Sequence, residues 1–244
     1  MSVSNLLKGL QLTWSVDNYE ALAAEASKKH WSHVDFLERL MEGETALQHD
    51  CRVVRRIKQA HFPVIKMLDQ FDWTWPTTIN RAQIQNLFRL SFMNDHTNVI
   101  FIAGVGLGKS HLATALGYEA CQKGLSVAFT TAVEIINTLT AALIAHRLKA
   151  ELKRYTSPAL LIVDEIGYLP FDKQGADLLF QVFSQRYERA STIVTTNKAY
   201  KDWPGVFNND SGLTSAILDR LLHHQETVII KGKSYRTKER ITEI

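Results

Sequence analysis

The 244-residue sequence predicts a three-layer α/β/α sandwich built on a five-stranded parallel sheet and preceded by a small helical unit. Three observations predict it. Short runs such as Val99 to Ala103 and Leu160 to Val163 are apolar without alternation, which marks strands buried on both faces, the usual state of a parallel sheet. Helical patterns separate successive runs, as parallel connections require. The first run also leads into a glycine-rich turn that opens a helix, the junction at which open α/β sheets place a ligand.

At the start of the chain, Val16, Tyr19, Leu22, Ala23 and Ala26 recur at helical spacing. Ser32 followed by Asp35 forms a capping box that opens a second helix, with Val34, Leu37, Leu40 and Met41 on one stripe. That pattern runs to about Phe62, where Pro63 breaks it. Arg52, Arg55 and Arg56 share one face of this helix, which reads either as a solvated face or as one that tracks phosphate or a partner. Residues 1–68 are thus expected to form a helical domain. Residues 69–80 form a linker whose Trp73, Trp75 and Pro76 exclude continuous helix and whose aromatics should lie against a body. Residues 81–244 form the α/β domain. Its strands are expected at Val99 to Ala103, Leu125 to Thr130, Leu160 to Val163, Ser191 to Thr195 and Thr227 to Ile230, with Gly124 ending the helix after the first.

Hydrophobic residues at 45% and charged ones at 22% exclude a disordered, collagenous or coiled-coil chain. No apolar run approaches the ~18 residues of a membrane span, and Met1 to Trp14 lacks the pattern of a secretion signal, so the expected location is the cytoplasm without membrane attachment. Cys51 and Cys121 stand apart in no metal-binding or disulfide pattern and read as buried thiols. The net charge of +3 is local. Residues 231–244 hold five basic residues against two acidic, a surplus equal to that of the whole chain.

The chemistry concentrates in Ala103-Gly104-Val105-Gly106-Leu107-Gly108-Lys109-Ser110-His111. Glycines at a strand-to-helix junction let backbone N–H groups face phosphate oxygens, Lys109 would reach the β- and γ-phosphates, and Ser110 would ligate Mg²⁺. Ala103 replaces the first glycine of the usual pattern, which is tolerable unless that position needs a positive φ. Asp164 and Glu165 follow a buried strand at its ligand-facing tip. Asp164 is expected to hold Mg²⁺ through water, and Glu165 to polarise the attacking water. Asn197, closing the fourth strand, could bridge the γ-phosphate and that water, although Asn also ends strands because it suits turns. Arg220 interrupts the apolar stripe of Leu213, Ala216, Ile217 and Leu221, so it either forms a structural ion pair or reaches an anion, such as the transition state in a neighbouring subunit.

These features in this order resemble the AAA+ ATPase core, a P-loop NTPase fold. More closely, Gly108-Lys109-Ser110-His111-Leu112-Ala113, Val163-Asp164-Glu165-Ile166-Gly167-Tyr168, Gln185-Arg186-Tyr187-Glu188-Arg189 and Ile217-Leu218-Asp219-Arg220-Leu221 resemble the IstB family. Its members are ATP-binding helpers of insertion-sequence transposons, similar to the DnaC helicase loaders. The similarity extends to Leu6-Leu7-Lys8-Gly9-Leu10 and Gln70-Phe71-Asp72-Trp73. The resemblance implies a homo-oligomeric ATPase, with ATP and Mg²⁺ as cofactors, that binds double-stranded DNA and helps the transposase of the same element select its target. It makes Lys109 and Ser110 the Walker A pair, Asp164 and Glu165 the Walker B pair, Asn197 the first sensor, Arg220 an arginine finger, and Arg236 a late arginine that contacts nucleotide. The nucleotide site then comprises Gly104, Val105, Gly106, Leu107, Gly108, Lys109, Ser110, His111 and Arg236. The residues after the fifth strand are too few for a full helical lid.

Val133 to Tyr155 is longer than one crossover helix requires and matches the place where initiator-type AAA+ proteins carry an extra DNA-binding helix. Arg147, Lys149, Lys153 and Arg154 would contact the phosphate backbone without reading bases, against the plain alternative of a solvated helix. Two further readings stay open from sequence: a helicase loader that prefers single-stranded DNA, and an adaptor that binds nucleotide without hydrolysing it.

Overall fold

A computed structural model describes residues 2–235, and the chain divides into two compact units between Arg55 and Arg56. The first unit is helical. It holds α1 (Val3–Gly9), α2 (Thr13–Lys29) and most of α3 (His33–Ala60). The expected capping box opens α3: the Asp35 amide donates to Ser32 Oγ at 3.1 Å, and the Ser32 amide donates to Asp35 Oδ2 at 3.0 Å. Gly43 leaves room for the Trp14 ring on the face of α3, where any Cβ would collide with it. Glu44, 4% exposed, accepts from both the amide and the hydroxyl of Ser15, at 2.9 and 3.1 Å. Burial pushes the Glu44 pKa up, but the bonds from Ser15, Gln48 and the Trp14 amide outweigh it and hold the carboxyl below its ordinary value.

The second unit carries the sheet. Its strands are β1 (Asn98–Ala103), β2 (Val127–Thr131), β3 (Leu160–Ile166), β4 (Ser191–Thr196) and β5 (Gln225–Ile230), all parallel in the order β2-β3-β4-β1-β5. The inner strands β1, β3 and β4 are largely buried on both sides because both faces are covered. Val99, Phe101, Ile162 and Ile193 pack against Leu112 and Leu116 of α5 (Lys109–Gln122). Ile100, Leu161, Val163 and Val194 pack under α6 (Ala132–Ile144), α7 (Leu148–Thr156), α8 (Lys173–Arg186) and α9 (Ser211–Leu222). A short α4 (Arg81–Leu87), capped by Asn80 on the Gln83 amide, precedes β1. The aromatics of the linker lie against the body, as expected: Phe71 is buried and packs edge-on to Trp73 at 5.0 Å between ring centres.

Val133 to Tyr155 holds two helices, α6 and α7, parted at His146, whose φ is 55°, in keeping with a stretch longer than one crossover helix requires. Two expectations shift. The second helix stops at Ala60, two residues before Phe62, because His61 takes a left-handed φ of 57°. Cys121 is buried, with its thiol pKa raised to about 11 by burial, but Cys51 is exposed. Among the described residues no helix is long and apolar enough to cross a membrane.

Buried Arg186, from the Gln185 to Arg189 motif, fastens the entry edge of the sheet. Its guanidinium donates to Thr192 Oγ1 at 3.0 Å and to the carbonyls of Tyr155 at 3.0, Pro158 at 2.8 and Ser191 at 2.5 Å. Carbonyl dipoles thus solvate the cation in place of water. Burial lowers its pKa to about 10, which keeps it charged at neutral pH.

Candidate functional site

The phosphate loop runs from the end of β1 into α5. Ala103 ends the strand with an ordinary φ, paired with Ile230, so replacing glycine there costs no backbone strain. Positive φ is needed at Gly106 (72°) and at Gly108 (85°), the residue before the first turn of α5. Leu107 points into the core, and Val105 is exposed, so these two can serve a ligand through their backbone. Lys109 is 6% exposed and folds back over the loop, donating to the carbonyls of Ala103 at 2.9 Å and Gly104 at 2.8 Å.

The structure brings Ser110 and Asp164 together. Ser110 Oγ donates to Asp164 Oδ1 at 2.9 Å, and Thr195 Oγ1 donates to the same oxygen. Thr195 Oγ1 in turn accepts from the Glu165 amide at 3.0 Å. One hydroxyl therefore fixes both carboxylate residues. The β3 to β4 register slips between Val163 and Ile166, and Glu165 sits in that bulge with a left-handed φ of 64°. The bulge turns the Glu165 side chain out of the sheet and leaves it exposed beside buried Asp164. A non-glycine residue in that region costs on the order of 1 kcal/mol, and such conformations gather at functional sites. At the next strand tip, Asn197 Oδ1 is buried with no hydrogen-bond partner. An orphaned acceptor just beyond β4, the strand paired with β1, fits a water or ligand held there.

The residues fit ATP and Mg²⁺ on the chemistry of the donors. Ser110 Oγ and Asp164 Oδ1 are adjacent hard oxygens of the kind Mg²⁺ takes, and the loop supplies glycine-permitted backbone beside a lysine. His111 faces elsewhere: its Nε2 lies 2.8 Å from the Met67 carbonyl and its ring meets Phe71 edge-on. Burial, then the nearby Lys66 charge, lower its pKa against the opposing Met67 bond, so it is neutral at physiological pH.

Arg220 stands at the other end of the sheet from its own phosphate loop. The Asn98 side chain, at the start of β1, donates to the Leu221 carbonyl at 3.2 Å, which pins the last turn of α9 to that edge. The Arg220 guanidinium donates to the Ala216 carbonyl at 2.9 Å and lies 4.7 Å from the Phe180 ring centre. Arg147, Lys149, Lys153 and Arg154 are all exposed, and Arg154 pairs loosely with Glu151 at 3.5 Å. Arg236 lies outside the described residues.

Two parts of the site escape sequence reasoning. Thr195 is one; its place two residues before Asn197 on the same strand tip was the available signal. The other is a strap over the loop in which linker and C-terminal segment meet. Thr78 and Lys231 form a bridge, Trp75 Nε1 donates to the Lys233 carbonyl at 2.8 Å, and the Tyr235 amide donates to the Gly106 carbonyl at 2.9 Å.

Comparison with known proteins agrees with this geometry. The fold is shared with the AMPPCP-bound DnaA from Aquifex aeolicus, at a TM-score of 0.59 and 19% identity over 75% of this chain and 57% of that one. It is shared also with the DnaC helicase loader, at 0.55 and 21% over 68% and 96%. Among curated sequences, an ATP-binding protein of insertion sequence IS21 from Pseudomonas aeruginosa is 40% identical over 96% of this chain and 88% of its own length. That of IS232 from Bacillus thuringiensis subsp. berliner is 41% identical over 85% and 83%. The family model described as IstB-like ATP binding protein matches residues 5–243, and with a five-stranded parallel sheet, a phosphate loop and paired strand-end acids in place, the chain belongs to that family.

Proposed function

We propose that this protein is an ATP-hydrolysing helper of transposition that oligomerises on duplex DNA and assists the transposase of the same element in choosing and entering its target. The observation that supports the reading is the Thr195-centred network, which ties Asp164, bonded to Ser110 of the phosphate loop, to the backbone of Glu165. Buried Asp164, with Ser110, would hold the metal. Mg²⁺, when bound, supplies neutralisation of phosphate charge. Lys109 would exchange its loop carbonyls for phosphate oxygens. Exposed Glu165 would take the proton of the attacking water, and Asn197 would orient that water through its spare Oδ1.

The six residues of β1 span about 20 Å, so Arg220 would serve the site of an adjacent subunit rather than its own. That arrangement makes hydrolysis depend on assembly. Arg147, Lys149, Lys153 and Arg154 would contact DNA phosphates, Arg236 would contact nucleotide, and the setting would be the cytoplasm. The insertion-sequence relatives support the transposase as partner; the DnaC likeness, at 21% identity, supports the fold alone.

Replacing Glu165 by Gln tests the reading. Turnover should fall by about 10²- to 10⁴-fold while ATP-dependent assembly on duplex DNA persists. Turnover near the wild-type rate would remove Glu165 from the chemistry, and preference for a poly-dT strand over duplex would favour the helicase-loader reading.

A further inference from the structure

The entry edge of the sheet, opposite the phosphate loop, carries a second concentration of charge. A cavity of about 410 Å³ opens there, and Arg89, Lys123, Arg189 and His96 line it together with Ser91 and Asn94. Among the described residues no acidic one lines it. The cations come from three different connections: Arg89 from the segment before β1, Lys123 from the α5 to β2 turn, and Arg189 from the α8 to β4 turn, with the His96 ring beside Arg89's segment. Among the described residues neither Arg89 nor Arg189 has an acidic partner within ion-pair distance, and Lys123 meets Glu119 only at 3.5 Å.

The walls are held in place. Lys123 Nζ donates to the carbonyls of Phe88 and Arg89 at 3.3 and 3.4 Å, which ties the end of α4 to the end of α5. The Arg189 amide donates to the Arg186 carbonyl at 3.0 Å, and the left-handed Glu188 (φ 55°) turns the chain just before it. Buried Arg186 anchors that turn, so the family-like Gln185 to Arg189 motif joins an internal fastening to an outward cation. Arg56 lies against Gly124 beside Lys123 and adds positive charge to this edge. Ala159 also lines the cavity, and Lys153 and Arg154 are in the last turn of α7, a few residues before it. Of the nearby acids, Glu151 pairs with Arg154 and Glu188 lies 3.6 Å from His223, while exposed Asp95, between Asn94 and His96, is not among the lining residues.

We propose that this pocket, with Lys153 and Arg154 beside it, holds successive phosphodiester groups of duplex DNA along the entry edge of the sheet. The inference rests on the DNA-binding part of the proposed function and assigns it a surface. From β2 to β1 the edge crosses three strand spacings, about 14 Å, or roughly four base-pair rises along one DNA strand. Cations from separate rigid turns at such intervals match a repeating line of phosphates, and they carry no base-reading geometry. DNA here would leave the phosphate loop, at the opposite edge, unobstructed.

The test uses the full chain with ATP and a fluorescent duplex, measuring affinity by anisotropy from about 50 to 200 mM salt. The paired variant Arg89→Glu with Arg189→Glu should weaken binding on the order of 30-fold near physiological salt and lower the slope of log affinity against log salt by about 1.8, two contacts' worth. ATP binding should be unchanged. A control pair, Lys8→Glu with Lys28→Glu, removes equal charge from exposed positions of the helical unit and should lower the slope less. Four outcomes overturn the inference: an unchanged slope in the first pair, an equal loss in the control pair, displacement of DNA by inorganic phosphate at constant ionic strength in wild type alone with no change in duplex affinity between the two proteins, or altered self-association of the first pair without DNA, which would assign the pocket to a subunit contact. If the wild type binds no duplex, the DNA-binding reading itself falls. If it binds and the Arg89 and Arg189 pair binds equally, only this surface does.

Discussion

Replacing Arg186 by Met keeps an unbranched apolar stem but removes the guanidinium. Four hydrogen bonds from a charged donor are lost, to Thr192, Tyr155, Pro158 and Ser191. At about 1.5 kcal/mol each, the low end for charged groups, they are worth about 6 kcal/mol. Against this, burial lowers the Arg186 pKa to about 10, a solvation penalty of about 3 kcal/mol that Met escapes. The net expectation is a loss of about 3 kcal/mol, which for a domain of this size lowers Tm by roughly 6–12 °C. Differential scanning calorimetry reads it directly. Lys in the same place retains charge but lacks the fork that reaches four acceptors, so it should recover less than half of the loss. A Met variant within about 2 °C of wild type, or a Lys variant equal to it, would refute the view that the motif arginine is a fastening. ATP affinity measured well below the transition should not change in either variant.

Other outcomes follow from the same geometry. Gly106→Ala places a Cβ at φ 72° and against Ser234, costing about 1–2 kcal/mol; isothermal titration should show ATP affinity reduced about tenfold or more, and unchanged affinity would deny the loop its role. Arg220→Ala should bind ATP but hydrolyse it slowly, and mixing it with Lys109→Ala subunits should restore part of the activity; no rescue at any ratio would count against an arginine supplied between subunits. Glu44 has a lowered pKa, so its stabilisation is complete above the unfolded carboxyl value and disappears as pH falls through the lower folded value. Glu44→Gln should therefore lower Tm at neutral pH and converge with wild type as pH falls below the lowered folded value, which thermal melts followed by circular dichroism would show.

The strands were legible because largely apolar or β-branched runs of four to six residues between helical patterns have few other uses, and the phosphate loop because glycines, lysine and serine stand at fixed spacing. The Ser32 cap was legible because both of its partners are local. What stayed hidden depends on distance or on backbone sign. His146 breaks α6 from α7 with a positive φ that no glycine announces. The strap joins Trp75 to Lys233, residues whose meeting is set by the closure of the whole sheet. Thr195 reads in sequence as one more β-branched strand residue, and only the bulge at Glu165 gives its hydroxyl two acids to serve. Arg220 stood out by position on its helix, but its distance from its own loop is a property of strand order.

The left-handed Glu165 has a corollary for engineering. Glycine or asparagine would occupy that backbone position with less strain, so substitution there should raise thermal stability by as much as about 1 kcal/mol. On the proposed reading the same substitution would remove the base and leave a sturdier but inert protein, so a thermostability screen of this chain should return position 165 among its false improvements.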